Sequence, residues 1–350
     1  MANVPPWPEN ELEYLGHCPV CGSPQRKKLL EALYDRFFNA PGYWTLYYCE
    51  ECKSGYLDPR PTPEAIGKAY ARYSTHDVDN PPNCPQTYLR RLRMSTRNGY
   101  LNRRYGYKAE PAVPWGCAVM FLLPPPLRLE WDWYARHLPR PEPGRNRLLD
   151  VGCGNGEFLL RAQQAGWEVE GLDFDPKAVA LARQRGLRVW CAEYRQAPFS
   201  EATFDAITSS QVIEHVHNPS DFVARLFSWL KPGGTIWINT PNFSSLGRRV
   251  FDKDWKPLHP PQHLVLLSFE ALCQLYKNNG LRARVHRRGF HETHVLAQSL
   301  ALRHGAQTYE EILALKRKFK RPILGAAFET VAWLWPRMAS DIVVIGHKES

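Results

Sequence analysis

From Arg147 onward, short apolar runs alternate with longer segments of helical character, and RLLDVGC, EVEGLDF, RVWCAE, FDAITSSQV and TIWINT read as strands. Alternation of this kind marks βαβ units, because parallel neighbours need a crossover helix and bury both sheet faces. The constraint points to an α/β fold with a doubly wound, mostly parallel sheet of Rossmann-like type. LRARVHRRG and, after a long insertion, DIVVIGHK bring the sheet to seven strands. A helix from Ser268 to Asn279, stopped by Gly280, leads into the sixth strand. The insertion from about 290 to 340 is apolar and mostly helical, with ILGAAFETVAWLW inside it. It reads either as a lid or as extra packing against the sheet.

The 350 residues exceed one average domain and suffice for two. Residues 1–61 read as a small cysteine-bearing module, 62–145 as a helical and Pro-rich linker region, and 146–350 as the ligand-binding domain. Thr62, Pro63 and Glu64 predict a helix start, and a basic helical segment runs from about 86 to 108. A hydrophobic share of 44% with 23% charged residues excludes a disordered or fibrous chain. No run reaches the roughly 18 apolar residues of a membrane span, since Trp115 to Leu123 ends at Pro124, Pro125 and Pro126. The start MANVPPWPENELEY places acids and prolines where a signal peptide needs basic then apolar residues, so a cytoplasmic location is expected. The net charge of +10 points to an anionic partner such as RNA, a phosphorylated substrate or a membrane surface, or else to solvated helix faces. Arg90, Arg91, Arg93, Arg97, Arg103 and Arg104 form one basic cluster, and the run Lys316, Arg317, Lys318, Lys320 and Arg321 another.

Nine cysteines are uneven in number and placement. Cys18-Pro19-Val20-Cys21 and Cys49-Glu50-Glu51-Cys52 are two C-x-x-C pairs 27 residues apart, the pattern of a zinc-ribbon-like module. Four thiolates around one Zn²⁺ leave no open coordination position, so the metal is expected to be structural. A redox dithiol and unbound cysteines are the alternatives. Cys84, Cys117, Cys153, Cys191 and Cys273 read as small packing residues.

At the end of the first apolar strand stands Leu149-Asp150-Val151-Gly152-Cys153-Gly154-Asn155-Gly156, followed by the helix EFLLRAQQAG. Glycines there let the backbone approach a ligand while the helix offers unpaired N–H groups. A dinucleotide fingerprint requires glycine at position 157, which is Glu157. Asp173 ends the second strand about 20 positions later and is suited to accept hydrogen bonds from both ribose hydroxyls. Phe174 and Glu193, at the ends of the second and third strands, flank the expected adenine. Asp150, with the glycines, is counted among the cofactor-binding residues.

On these residues, 147–240 resemble the class I S-adenosylmethionine-dependent methyltransferases, with LLDVGCGNGEFL as their first motif. VIEHVHNP, LKPGGTIWINTPN and PPQHLVLLSFEAL are similar to the bacterial group related to ubiquinone-biosynthesis O-methyltransferases. The C-x-x-C pairs and YLDPRPTPE resemble members with an N-terminal zinc ribbon, some of which act on sugars. The resemblance implies that Gly152, Gly154 and Gly156 line the methionine portion of S-adenosylmethionine, that Asp173 holds its ribose and Glu193 borders its adenine, and that Ser209 and Gln211 lie near the methyl group.

Methyl transfer by in-line displacement mainly requires alignment, and a hydroxyl or carbon-acid acceptor adds the need for a general base. The candidates are His215, His217, His259 and His263. His215 follows the fourth strand at the ligand edge and ranks first, unless it only caps or packs the next helix. His263 ranks second, unless it is a turn histidine. Some ubiquinone-type relatives hold a divalent cation with Glu-x-x-Glu-His; here Gln211-Val212-Ile213-Glu214-His215 lacks the first carboxylate, so no catalytic metal is expected. The leading expectation is a methyltransferase acting on oxygen or carbon of a sugar, a phenol-like or a lipid-linked acceptor. An RNA or protein methyltransferase gripping its polymer with the basic segment is a second reading. Against it, the fourth strand ends in Ser-Ser-Gln-Val and not in (Asp/Asn)-Pro-Pro-aromatic. A zinc-dependent binding module with a non-catalytic cofactor sensor is a third.

Overall fold

The computed structural model describes residues 4–71, 87–122, 125–286, 291–318 and 322–349. Cys84 and part of the basic run from Lys316 to Arg321 fall outside them. Near the N-terminus, β1 (Leu12–Glu13) pairs antiparallel with β5 (Arg60–Pro61). Between them β2 (Arg26–Leu33), β3 (Trp44–Cys49) and β4 (Gly55–Leu57) form an antiparallel meander. The helix expected at Thr62 is a short 3-10 turn over Ile66–Tyr70, begun by the Thr62 carbonyl, which accepts from the Ala65 and Ile66 amides. Gly67 inside it contributes little helix propensity.

The basic segment forms α1 (Tyr88–Tyr105), capped by the Thr87 hydroxyl. Its cations divide. Arg97 hydrogen-bonds Asn98 and lies over Trp131, and Arg104 meets Tyr105, whereas Arg90, Arg91, Arg93 and Arg103 are exposed. The Pro-rich stretch beyond it holds α2 (Gly116–Leu122) and α3 (Pro125–Tyr134). Proline is well tolerated where α3 begins, since first-turn N–H groups have no helical partner to lose.

The second half builds the seven-stranded sheet from β6 (Arg147–Val151), β7 (Glu168–Asp173), β8 (Val189–Cys191), β9 (Phe204–Ser210), β10 (Leu230–Pro241), β12 (Arg282–His286) and β13 (Asp341–His347). Its order is β12-β13-β10-β9-β6-β7-β8, and β13 alone runs antiparallel to its neighbours. The crossovers are α4 (Glu157–Gln164), α5 (Pro176–Gln184), α6 (Pro219–Trp229) and, after α7 (Leu246–Phe251) and β11 (Val265–Leu266), α8 (Phe269–Asn278). Local chemistry starts these helices. Asp175, Asn218 and Ser268 accept N-cap bonds from Lys177, Asp221 and Ala271, and Pro176 and Pro219 occupy first-turn positions. The insertion folds into α9 (Glu292–Arg303), α10 (Tyr309–Lys318) and α11 (Pro322–Leu334). Buried residues run almost without break along α9 from Val295 to Leu302, the mark of a core helix rather than a helix resting on the surface.

One hydrophobic cluster joins the sheet to α6 and α8 through Trp229, Phe222 and Tyr276, and it also contains Cys18, Cys49 and Tyr56. The cysteine-bearing segment therefore shares the core of the second half. β11 pairs with β4 in the register Val265 to Tyr56 and Leu266 to Gly55, so the N-terminal sheet has an edge strand from the later chain. The opposite face of the large sheet packs on α1, α4 and α5 through Tyr100, Phe158, Leu159 and Val179. No helix among the described residues is long and apolar enough to cross a membrane.

Asp150, fully buried in β6, is paired with Arg136 and accepts a 2.9 Å bond from Thr208 of β9. The guanidinium lies 3.7 Å from the Phe158 ring centre. Removing one partner of such a pair leaves an uncompensated buried charge. Arg136→Met should lower the unfolding free energy by about 3–5 kcal/mol, measured by urea denaturation. Adding Asp150→Leu should restore much of the loss.

Candidate functional site

The strands β6, β7, β9 and β10 end on one edge of the sheet, and the antiparallel β13 begins there. Open parallel sheets bind ligands beyond this carboxyl edge. After β6 the chain turns so tightly at Gly152 that a Cβ there would lie 2.2 Å from Val212 Cγ2. Gly156 is equally confined, with Leu187 Cδ1 2.2 Å from a built Cβ. Gly154 differs: its φ is +54°, nothing lies within 4 Å of a built Cβ, and its amide donates to Asp173 Oδ2 at 2.8 Å. Two of the three glycines thus serve packing of the turn, and the middle one borders open space.

Asp173 Oδ1 accepts from the Asp175 amide at 2.9 Å. Each carboxylate oxygen has one backbone donor and retains capacity for another. Burial pushes the Asp173 carboxyl up, and the amides of Asp175 and Gly154 oppose that shift. Phe174 beside it is 58% exposed, an unusual state for a phenylalanine at a strand end. Its ring meets Tyr70 edge-on at 5.6 Å. Glu193, just past β8, is half exposed and within 3.7 Å of Arg195. Asp150 is engaged with Arg136 and Thr208 and makes no hydrogen bond to the glycine turn among the described residues.

At the end of β9, Ser209 is buried and its hydroxyl has no hydrogen-bond partner among the described residues. Gln211 adopts a φ of +55° while its amide donates to the Asn239 carbonyl. A glutamine in the left-handed region is strained, and such strain collects at functional sites. Its side chain donates to Asp341 at 3.3 Å, and Asp341 lies 3.2 Å from His291. Asp341, at the start of β13, joins this edge of the sheet without any signal in the sequence pattern.

The four histidine candidates separate. His217 Nε2 is 3.0 Å from the Pro61 carbonyl, which ties it to the N-terminal segment. His215 Nδ1 is 2.9 Å from the Gln262 carbonyl and 2.8 Å from the Tyr70 hydroxyl. A carbonyl can only accept, so the proton resides on Nδ1 and Nε2 keeps its lone pair. His263 Nδ1 is held by the Pro257 carbonyl at 2.7 Å in the same way. The rings of His215 and His263 lie 4.7 Å apart, and those of His263 and His259 5.2 Å. Burial holds the His215 imidazole down at about 4 and those of His259 and His263 well below the ordinary value. All three are neutral near pH 7. Tyr70, a tyrosine touching both His215 and Phe174, had no local signal in the sequence.

Glu214 is fully buried; its Oε2 accepts from Thr240 at 2.9 Å and its Oε1 has no partner among the described residues. Burial pushes its carboxyl up to about 8. Glu214, His215 and His263 offer three donor atoms within 4.8 Å of one another, a set that could hold a cation although Gln211 replaces a carboxylate.

The four paired cysteines also converge within 4.8 Å, with Cys18 3.6 Å from Cys52 and Cys21 3.5 Å from Cys49. Tetrahedral ligation at a Zn–S distance of about 2.3 Å requires sulfurs about 3.8 Å apart, so the set fits a zinc ion. The two knuckles match in their backbone bonds: the Gly22 and Lys53 amides donate to the Cys18 and Cys49 carbonyls, and the Cys18 and Cys49 amides to the Ser23 and Ser54 carbonyls. Cys117, Cys153, Cys191 and Cys273 form no disulfide.

A family model described as a methyltransferase domain matches residues 127–286. The ubiquinone biosynthesis O-methyltransferase of Bordetella avium is 37% identical over 124 residues, 33% of this chain and 50% of that protein. The protein of the same name from Alkalilimnicola ehrlichii is 33% identical over 177 residues, 45% of this chain and 70% of its own. A probable S-adenosylmethionine-dependent methyltransferase of Mycolicibacterium smegmatis is 31% identical over 194 residues, covering 53% of this chain and 72% of that one. The chain spans about half the length of several of the curated relatives it matches.

Glu214 titrates near 4.5 when unfolded and about 8 when folded. Its contribution to stability is fully present below the unfolded value and is lost as the pH rises through the folded one. Glu214→Gln should therefore gain stability relative to the parent by about 2–4 kcal/mol between pH 5 and 8.5. Urea denaturation at several pH values checks this, and parallel curves would contradict the assignment.

Proposed function

Since the chain belongs to the S-adenosylmethionine-dependent methyltransferases, we propose that it transfers a methyl group to oxygen or carbon of a small-molecule acceptor at the carboxyl edge of its sheet. The observation that carries this reading is Asp173: a buried carboxylate with spare acceptor capacity, hydrogen-bonded to the one glycine of the turn that borders open space. Asp173 would hold the ribose hydroxyls, Phe174 and Glu193 would border the adenine, and Gly152, Gly154 and Gly156 the methionine portion. Ser209 and Gln211 would lie near the reacting carbon. The bound nucleoside supplies a methyl already activated by its sulfonium, so alignment is the protein's main task.

For proton removal, the Gln262 carbonyl and the Tyr70 hydroxyl orient His215 through Nδ1, leaving Nε2 as the acceptor atom. His263 shares that geometry through Pro257 and is the second candidate base. The relatives named as O-methyltransferases support transfer to oxygen. Sugar, phenol-like and lipid-linked acceptors all remain within the proposal. The cysteine cluster supports one structural Zn²⁺ per chain, and four thiolates suit a reducing compartment such as the cytoplasm. Arg90, Arg91 and Arg93, exposed on α1, favour a second reading in which the acceptor is RNA or protein. Steeply salt-dependent binding to random RNA would support it.

Calorimetry with S-adenosylhomocysteine tests the first reading. Asp173→Ala should weaken binding by roughly 10- to 100-fold, with the circular dichroism unchanged; equal affinity, or no binding by the parent chain, would sink it. Metal analysis should find one zinc per chain, and its removal or Cys49→Ser should lower the melting temperature. A metal-free chain with its fold intact would refute the structural zinc.

A further inference from the structure

A helix at a protein surface ordinarily turns its apolar side inward and its charges outward. In α11 the inner side is as expected. Leu324 and Phe328 pack on the cluster that holds Phe251 and Leu296, and Gly325 lies against Thr293, whose Oγ1 would be 2.8 Å from a built Cβ. Glu329, the one charged residue of this helix, is turned the same way: its Oε1 accepts from the Thr293 amide at 3.1 Å. The outer side departs from the rule. Ala326, Ala327, Thr330 and Leu334 share it by helical spacing, all four are exposed, and none carries charge. The face runs out in Leu334 and Trp335, 52% and 56% exposed, so large apolar groups stand in water where polar ones are the norm.

Charge identifies what such a face meets. The preceding helix α10 closes on Lys316, Arg317 and Lys318, and α11 opens at Pro322, so a cationic turn stands at one end of the apolar face and Trp335 at the other. From Lys316 to Met338 the sequence carries six Lys and Arg residues and a single acid, the inward Glu329. A second copy of this chain would bring no acid from this face to that turn. RNA would satisfy the cations and leave Leu334 in water. An anionic bilayer answers both needs, with negative headgroups for the lysines and an apolar boundary for leucine and indole. The face is also tied to the carboxyl edge of the sheet. Beyond Trp335, Asn242 Nδ2 donates to the Arg337 and Ala339 carbonyls at 2.8 Å, Glu292 accepts from the Ser340 amide at 2.6 Å, and Asp341 then meets Gln211.

We propose that the outer face of α11, with Leu334 and Trp335 as its apolar anchors and the end of α10 as its cationic rim, docks on the surface of an anionic phospholipid bilayer. At 13 residues the helix is too short to span and lies in the interface. Docking there brings the carboxyl edge of the sheet to the membrane surface, which favours a lipid-linked acceptor; that consequence rests on the methyltransferase reading, and the docking itself does not.

The test is co-sedimentation of the zinc-loaded full chain with vesicles of phosphatidylcholine alone or mixed equally with phosphatidylglycerol. The mixed vesicles should bind the chain about tenfold more tightly or better, and less so as salt rises. Leu334→Ser combined with Trp335→Ser should weaken that binding by about tenfold, and Lys316→Gln combined with Lys318→Gln by about as much, the second pair removing the preference for phosphatidylglycerol. Melting temperature and S-adenosylhomocysteine affinity should stay as in the parent chain for both pairs. No binding to the mixed vesicles, equal affinity for the two lipids, or unchanged binding in either pair of substitutions would overturn the proposal. A dimer in sedimentation velocity that the Leu334 and Trp335 substitutions dissociate, without vesicle binding, would assign the face to a second copy; random RNA bound while vesicles are ignored would assign the cations to nucleic acid. The vesicles are offered without S-adenosylhomocysteine, so failure to dock leaves the methyltransferase reading standing, and failure of that nucleoside to bind leaves the docking result standing.

Discussion

A parallel sheet covered on both faces leaves a ligand only its carboxyl edge, and this one constraint organises the molecule. Strands β9 and β10 are buried along most of their length, with Trp237 and Phe204 wholly enclosed. Side chains within the sheet are committed to packing, so polar groups able to meet a ligand collect where strands end. Asp173, Gln211 and Asp341 all stand at such ends. Asp150, two residues back from the Gly152 turn, shows the contrast: it lies inside the sheet and serves Arg136.

The same economy explains why the N-terminal segment is not an appendage. Its cysteine knuckles, Tyr56 and the β4–β11 pairing are fused to the later chain, and Ser54 and Ser268 are joined by a 3.0 Å bond from amide to hydroxyl. From that base, Tyr70 reaches His215 and Phe174, and Asp35 clamps Gln262. A metal holding four cysteines would therefore do more than fold a small module. It would stiffen the support on which one wall of the candidate site is built.

Burial governs the chemistry of that wall. Removing imidazoles from water disfavours their charged forms, and the carbonyls of Gln262 and Pro257 then select which nitrogen carries the proton. The result is two neutral, oriented histidines beside a buried carboxyl that burial also keeps largely protonated. Their Nε2 atoms carry no proton near neutral pH, and the burial that keeps them neutral also opposes the imidazolium that proton uptake would form. The charge of Lys256 acts in the same sense as burial on these histidines, disfavouring their charged forms.

The local patterns of this protein were legible in its sequence: the alternation of strands and helices, the glycine turn, the acid at the end of β7 and the two cysteine pairs all depend on residues close together in the chain. Periodicity and spacing carry such information because a strand, a turn or a knuckle is set by its own few residues. Other features only the folded chain decided. Tyr70 meets His215 across 145 residues, Gln262 meets Asp35 across 227, and Asp341 meets Gln211 across 130. That His263 faces His215, that Gly154 alone of the three glycines borders open space, and that Asp150 is taken by Arg136 are likewise products of packing. No spacing rule foretells them, because which side chains meet depends on how whole elements settle against one another, and many residues far apart in sequence determine that together.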